Sequence, residues 1–491
     1  MGINKEIARG SATVSIITFI GHILSTALKL LVSFNYGLTG FGQFVLVMAY
    51  SKVLSNVIDM GYHQSIVHFV SRFRTKEDWV NASHFFLTGF LHIIIFSLLI
   101  FVGLLILGDQ LIQIINPADS GTQLVLFISA IATIIAANNF LSGTLRSLRF
   151  FKEQAILFTS AFPAIMIISM VISKWVLNNQ EGISQFLALG ITLNVIMLII
   201  VFFLTKINIA GRITDHQEKL PSKQLTRYSM PIWFSSILQS AFKSSDRIML
   251  GMMSSIAQVG VYGAGLTFSI LFAFPLKAMG PVFQPYIIDR YSENDFEGMN
   301  KLYNTMVRWS SLFVIPAFGA LICFGDHLVL LFGKDFKSAY NIMIILSFAQ
   351  IISTVSGIAG TMLNMTEKQN SHAKIMLYGF LFAIGLNLLL IPEFGALGAA
   401  AGTAIASIVI NIFRVRKMIK YYKLKTDYSI VFSLSLKFLI LVLATSWLNQ
   451  QAQVHWIILL VIFSLISLVI LFFSLSKVEK AHLMTLARNR L

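Results

Sequence analysis

The chain has 491 residues, 56% of them hydrophobic and 12% charged, and its mean hydropathy of +0.78 excludes a soluble globular protein in favour of a polytopic membrane protein. Its single cysteine, Cys323, excludes intramolecular disulfides and thiolate metal clusters. The net charge of +16 could suit nucleic acid, but its placement follows the membrane, and no nucleic-acid partner is expected.

Runs of about 20 apolar residues, the length that crosses a hydrocarbon core of about 30 Å, predict an all-α integral membrane fold. About fourteen spans are placed near 11–34, 41–66, 84–107, 121–145, 154–177, 183–205, 229–251, 258–285, 309–328, 338–362, 375–391, 395–413, 429–447 and 455–476. The first run is too long for the core of a cleavable signal and has no small-residue cleavage site after it, so it reads as a span. Lysines and arginines outside the spans gather at the N-terminus, in connections after even-numbered spans and in the C-terminal tail. Lys174, Lys334 and Lys337 fall on the opposite side. That asymmetry predicts cytoplasmic termini, a cytoplasmic segment 414–425 and an external segment 109–119. The basic run Arg414, Arg416, Lys417, Lys420, Lys423 and Lys425 is read as part of this topology signal.

In chain order, span 1 carries His22-Ile-Leu-Ser-Thr-Ala-Leu-Lys29, and span 2 carries Lys52 and Asp59. Span 7 repeats the first phrase as Ser236-Ile-Leu-Gln-Ser-Ala-Phe-Lys243 and continues to Asp246 and Arg247. Its polar positions recur at steps of three and four, hence on one helix face. Charge at membrane depth marks a functional site, because it must face a bundle interior or a wet cavity. If the twin lysines sit in repeated halves, they could face each other across a cationic cavity; the alternative is that both snorkel to the outer interface. Span 8 holds Lys277 together with Pro275, Pro281 and Pro285, and should be kinked. In span 12, Gly398, Gly402 and Ala406 form a small-residue ridge suited to close packing.

An internal repeat underlies these elements. Gly42-Gln-Phe44 answers Gly260-Val-Tyr262, Met60-Gly61 answers Met279-Gly280, and Ser142-Gly-Thr144 answers Ala359-Gly-Thr361, at offsets between 214 and 219. Six spans separate equivalent points, so the halves share one orientation and form a parallel repeat. The expected division is 1–215 and 216–425 as two six-helix bundles around a central cavity, with 426–491 as two extra helices and a tail.

The sequence has no H-E-x-x-H pair, metal-spaced cluster, nucleophile elbow or G-x-x-x-x-G-K-[ST] phosphate loop, so no enzyme, metal or cofactor is expected. Uphill work would then draw on an ion gradient, H+ or Na+, or on a partner. The surviving constellation is cationic: Lys29, Lys243, Arg247, Lys52 and Lys277 as candidate binding groups, with Asp59, Asp246 and His22 as coupling or gating candidates. Asp246 could neutralise Lys243 or Arg247, and Asp59 could pair with Lys277 or Lys52. An excess of cations needs an anion, such as a phosphate-bearing lipid, an acidic sugar or a counter-ion.

The segment Leu38-Thr-Gly-Phe-Gly-Gln-Phe-Val-Leu46 with Asp59-Met-Gly-Tyr62 resembles polysaccharide biosynthesis flippases of the multidrug/oligosaccharidyl-lipid/polysaccharide exporter superfamily, as do Asp246-Arg-Ile-Met-Leu-Gly251, Val259-Gly-Val-Tyr-Gly-Ala-Gly265 and Ile391-Pro-Glu-Phe-Gly-Ala-Leu-Gly-Ala-Ala400. The resemblance covers nearly the whole chain. It implies an O-antigen-type flippase that moves undecaprenyl-diphosphate-linked oligosaccharide from the inner to the outer leaflet of a bacterial or archaeal cytoplasmic membrane. Its implied partners are the lipid-linked oligosaccharide, membrane lipids and other polysaccharide-assembly proteins. A drug or metabolite cation antiporter of the same fold is the alternative, and a membrane polymerase or ligase a more remote one.

Overall fold

A computed structural model describes residues 2–106, 122–176, 183–213, 223–366, 368–452, 455–475 and 480. The connection 109–119, expected to be external, lies outside the described residues. Sixteen α-helices and no strands occur among them, with π-helical turns at Ile156–Ser160 and Ile172–Val176 and 3-10 turns at Ile270–Ala273 and Lys334–Phe336. Ten helices are long and apolar enough to cross a membrane, or eleven if Ala339–Val355 and Ala359–Met365, bent by 46°, count as one span. Two of the ten are broken internally. The helix α1 (Gly2–Asp59) breaks at Gly37, at φ 65°, and the helix Gln369–Tyr422 at Gly395, at φ 55°. Dividing both brings the count to thirteen. Lys223–Met253, interrupted by Lys243, Asp246 and Arg247, is the remaining one of the fourteen spans expected.

The described chain separates into two compact units. Unit 1, Met1–Gly263 with Ile391–Ala396, contains α1, α2 (Tyr62–Thr75), α3 (Trp79–Ile106), α4 (Thr122–Ser147), α5 (Phe151–Ala155), α6 (Ala161–Val171), α7 (Ile183–Ala210), α8 (Lys223–Met253) and the first half of α9 (Ile256–Ser269). Its core is aromatic: Tyr62, Phe69, Phe85, Phe86 and Phe140 are buried together, and Phe86 stacks on Phe140 with ring centroids 5.9 Å apart. The opposite faces are apolar too. Along α3, Leu91, Ile94, Ile95, Leu98 and Leu99 are exposed while Phe85, Phe86 and Ile93 are buried, the pattern of a helix with lipid on one side and protein on the other.

Unit 2, Ala264–Leu390 with Leu397–Leu491, contains the rest of α9, then α10 (Phe274–Ser292), α11 (Phe296–Leu330), α12 (Ala339–Val355), α13 (Ala359–Met365), α14 (Gln369–Tyr422) apart from Ile391–Ala396, α15 (Ser429–Ala452) and α16 (Trp456–Ser474). Span 8, expected to be kinked, is interrupted by a 3-10 turn at Ile270–Ala273, with Pro275 in the first turn of the helix that follows. There its missing N–H costs nothing. The break at Gly395 turns α14 into an antiparallel hairpin: a Cβ on Gly379 would strike Ile410, and one on Gly402 would strike the Asn387 side chain. The small-residue ridge thus packs one arm of the hairpin on the other. The last two helices are not loose appendages, since Phe463 and Phe438 close on Gly319 of α11. The units follow packing, in which α8 rests on α1; the 215/216 boundary is a statement about sequence equivalence, which packing leaves open.

Within unit 1, repeat-equivalent glycines meet. A Cβ on Gly42 of α1 would stand 2.0 Å from the Ile256 carbonyl oxygen, and one on Gly260 of α9 would stand 2.4 Å from the Leu38 carbonyl oxygen. Only glycine lets two helix backbones approach this closely.

Candidate functional site

The C-terminal half of α1 and the polar face of α8 pack along each other, and polar groups stitch the seam. Ser240 Oγ donates to the Lys52 carbonyl at 3.1 Å. Trp233 Nε1 donates to the Asn56 carbonyl at 3.0 Å, and further along α8 Ser229 Oγ donates to Ser65 Oγ of α2 at 2.8 Å. In a low-dielectric interior each such group needs a partner, so the seam's polarity is consistent with its burial.

Two carboxylates are buried here, each with partners. Asp59, at 1% exposure, closes α1. The chain then passes through Met60 and Gly61, both in the left-handed region, before α2 begins. This turn brings His63 back, so that its ring Nδ1 contacts Asp59 Oδ2 and its backbone N–H donates to Oδ1 at 3.2 Å. Lys52, one of the partners expected for Asp59, forms no short ion pair with it among the described residues; the local turn supplies a nearer group. Asp246 is buried as well. Its Oδ1 accepts from Arg247 Nε at 3.3 Å, and its Oδ2 accepts the hydroxyl of Tyr262 on α9.

Arg247 also donates to the Lys243 carbonyl, which folds the guanidinium back along α8. Lys243 is exposed and its Nζ lies 3.4 Å from Gln239 Oε1. Lys52 is exposed on α1 and engages no carboxylate as an ion pair among the described residues. His22 and Lys29 lie on the N-terminal half of α1, which packs elsewhere: a Cβ on Gly21 would strike Thr159, Ser160 Oγ donates to the Ile17 carbonyl, and Lys174 Nζ donates to Asn35 Oδ1. Both partly exposed, they are set against the 151–176 region, whereas Lys243 is on the helix that covers Lys52. Lys277 is in α10, and its side chain lies outside the described residues.

The site therefore gathers Lys52, Asp59, Lys243, Asp246 and Arg247 on one seam. Sequence reasoning missed His63, Tyr262 and Trp233 as partners. Asp59 and His63 are four apart and could have been paired, but the Met60-Gly61 signal breaks the helix between them. At one end of unit 1, Arg74 lies near Arg149 and Arg212, and burial together with those two charges lowers its guanidinium pKa. Arg212 in turn stacks over the Trp79 ring at 4.8 Å.

A chain of this architecture can be compared with known proteins. The family model described as "Polysaccharide biosynthesis protein" matches residues 7–289, and the MatE model matches 231–389. Two relatives come from Haloferax volcanii. "Probable low-salt glycan biosynthesis flippase Agl15" is 25% identical over 42% of this chain and 44% of its own length, so the match spans under half of that relative. "Probable flippase AglR" is 24% identical over 82% of this chain and 80% of its own length. Among solved structures, the lipid II flippase MurJ in an inward closed conformation superposes with a TM-score of 0.72 at 16% identity, covering 93% of this chain and 97% of that one. An inward-facing MATE-family multidrug transporter gives 0.68 at 13% identity, covering 84% and 98%. These superpositions establish the fold.

Proposed function

We propose a function from one premise: the chain belongs to the polysaccharide biosynthesis protein family. The protein is a flippase that moves a diphosphate-linked oligosaccharide or polysaccharide repeat unit across the cytoplasmic membrane by alternating access. Cations of the α1–α8 seam and Lys29 hold the phosphates. The observation that carries this reading is a charge imbalance. Asp59 is engaged by His63 and Asp246 by Arg247 and Tyr262, while Lys52 stands on a largely apolar helix with no carboxylate ion pair among the described residues. A cation so placed favours an anionic ligand, and lysine serves a diphosphate as a point charge. The relatives named as flippases and the MurJ-like fold support the same reading.

Directional transport in this scheme draws on an H+ or Na+ gradient. The Asp59–His63 pair, a buried carboxylate with a partly exposed imidazole, is our candidate for the group that senses it, with Asp246 and His22 as further coupling candidates. The protein acts with its termini in the cytoplasm, alongside other polysaccharide-assembly proteins.

The test is purified protein in vesicles loaded on one leaflet with a fluorescent undecaprenyl-diphosphate oligosaccharide. Protein-dependent appearance of the label in the other leaflet is expected, and its failure to appear with several such lipids overturns the proposal. The MatE match over 231–389 keeps one alternative, efflux of organic cations. That reading requires Asp59 or Asp246 to exchange its present partners for a cationic substrate, and gradient-driven efflux of cationic dyes without lipid movement would favour it.

A further inference from the structure

The end of the α14 hairpin remote from Gly395 carries a feature the seam does not explain. Arg414, read from sequence as part of a topology signal, turns inward in unit 2. Its Nε is buried without a hydrogen-bond partner, and so is Nδ1 of His372 on the facing arm. Both groups converge on Gly360 of α13: a Cβ there would stand 3.2 Å from His372 Cε1 and 3.4 Å from Arg414 Nε. Glycine thus keeps open the space between the two basic side chains.

The remaining contacts of Arg414 are weak where they matter. Nη1 donates to Asn411 Oδ1 at 3.2 Å, but among the described residues Nη2 donates only to the Met376 thioether, a poor acceptor. The side-on fork of Nε and Nη2, the face that grips two oxygens of a carboxylate or phosphate, is therefore committed to nothing stronger than sulfur. Two more cations stand at the same end. Lys368 and Lys417 lie 5.3 and 5.9 Å from the centroid of the Tyr421 ring, and the Tyr421 hydroxyl is tied to Ser371 Oγ at 2.7 Å, next to His372. Lys368 is the N-cap of the arm that carries His372, whose backbone N–H donates to the Lys368 carbonyl at 3.1 Å, and Arg414 and Lys417, three apart, share a face of the other arm. No carboxylate forms an ion pair with any of the four among the described residues.

We propose that Arg414 and His372, with Lys368 and Lys417 at the mouth, form a binding site for a phosphate-bearing anion, distinct from the α1–α8 seam. The guanidinium fork and His372 Nδ1–H donate to the phosphate oxygens, and the two lysines supply long-range attraction. The phosphate could belong to a phospholipid headgroup or be free in solution, and the test separates the two.

Full-length protein is purified in detergent. Retention of phosphatidylglycerol against phosphatidylcholine is read by native mass spectrometry, and binding of inorganic pyrophosphate by calorimetry. The wild type is expected to bind at least one anionic probe: preferential retention of phosphatidylglycerol identifies a headgroup site, and pyrophosphate binding a site open to free phosphates. Arg414→Gln should weaken that binding at least tenfold, and Gly360→Ala several-fold by filling the gap with both cations still present. Arg416→Gln, at an exposed position in the same basic run, should bind as the wild type does. If Arg414→Gln fails to fold, Gly360→Ala decides alone. Absence of binding to every anionic probe, or equal binding by wild type and the folded Arg414→Gln or Gly360→Ala variant, overturns the site. Loss of binding in Lys243→Gln with retention in Arg414→Gln does so too.

Discussion

The crossing of α1 and α9 can be broken by a single carbon. Real Cβ atoms essentially never approach another heavy atom closer than 3.0 Å, whereas a Cβ on Gly42 would stand 2.0 Å from the Ile256 carbonyl oxygen and one on Gly260 2.4 Å from that of Leu38. Gly42→Ala thus forces the helices about 1.0 Å apart, and Gly260→Ala about 0.6 Å, against backbone that has no rotamer to escape through. Overpacking of this kind costs about 1–3 kcal/mol, offset by the roughly 0.5–1 kcal/mol gained when alanine replaces glycine in a helix. The net expectation is a loss of about 1–2 kcal/mol for Gly42→Ala and less for Gly260→Ala. Gly103→Ala is the control: no atom lies within 4 Å of its added Cβ, so it should be neutral or stabilising. Titration of sodium dodecyl sulfate into mixed micelles, followed by tryptophan fluorescence, reads the order directly. If Gly42→Ala unfolds at the same detergent fraction as Gly103→Ala, the close approach is not what holds this crossing.

Other expectations follow from the same geometry. His63→Ala leaves Asp59 buried with only a backbone donor, and should destabilise unit 1 by about 1.5–3 kcal/mol, the range for hydrogen bonds to charged groups; a double-mutant cycle with Asp59→Asn should recover most of that loss, and strict additivity would show that the two do not interact. Tyr262→Phe should act on Asp246 similarly, a denaturation midpoint unchanged from wild type being the contrary result. Lys29→Gln, Lys243→Gln and Lys52→Gln should each slow flipping at normal membrane abundance, with arginine a better replacement than glutamine. An effective dielectric of about 20 puts one charge pair at roughly 4 Å near 4 kcal/mol before desolvation, so the net effect should exceed tenfold, about 1.4 kcal/mol; full flipping by the triple Gln variant would dismiss these lysines. The Asp295 carboxyl caps α11, and the Gly298 backbone N–H, followed by Arg290, lowers its pKa from 3.8. A depressed carboxyl stabilises the fold above its unfolded pKa and loses that contribution as pH falls through the folded value; Asp295→Asn should therefore flatten the stability profile below about pH 3.8, and an unaltered profile would contradict it.

Much of this was legible in the sequence because membrane solvation writes in long, redundant strokes. The apolar runs located the helices, and the Gly42 and Gly260 motifs, read as markers of the repeat, turn out to pack backbone to backbone. For Asp246 the sequence offered Lys243 or Arg247, and the partner is Arg247, its immediate neighbour. Legibility failed where partner choice depends on chain reversal. His63 reaches Asp59 only because Met60 and Gly61 adopt left-handed backbone, and Tyr262 reaches Asp246 only because α9 doubles back beside α8. The packing of Arg414 was illegible for another reason: in a basic run each residue carries the same topological message, and nothing local says which one turns inward. The expected end of one span at 391 and start of the next at 395 fit the break at Gly395, the apex of a hairpin.

At the offset of 218 that relates Gly42 to Gly260, Leu38 corresponds to Ile256 and Val45 to Gly263. Gly42 would strike Ile256, Gly260 would strike Leu38, and Val45 lies directly against Gly263. Position i of one copy thus meets position j of the other while j meets i, and one pair meets its own counterpart, which is the rule of an isologous two-fold interface. The duplicated chain has in effect enclosed a homodimer contact within a single polypeptide. One surface is written twice, and each copy restricts what the other can become, since a side chain added at either glycine strikes the carbonyl four residues before its twin.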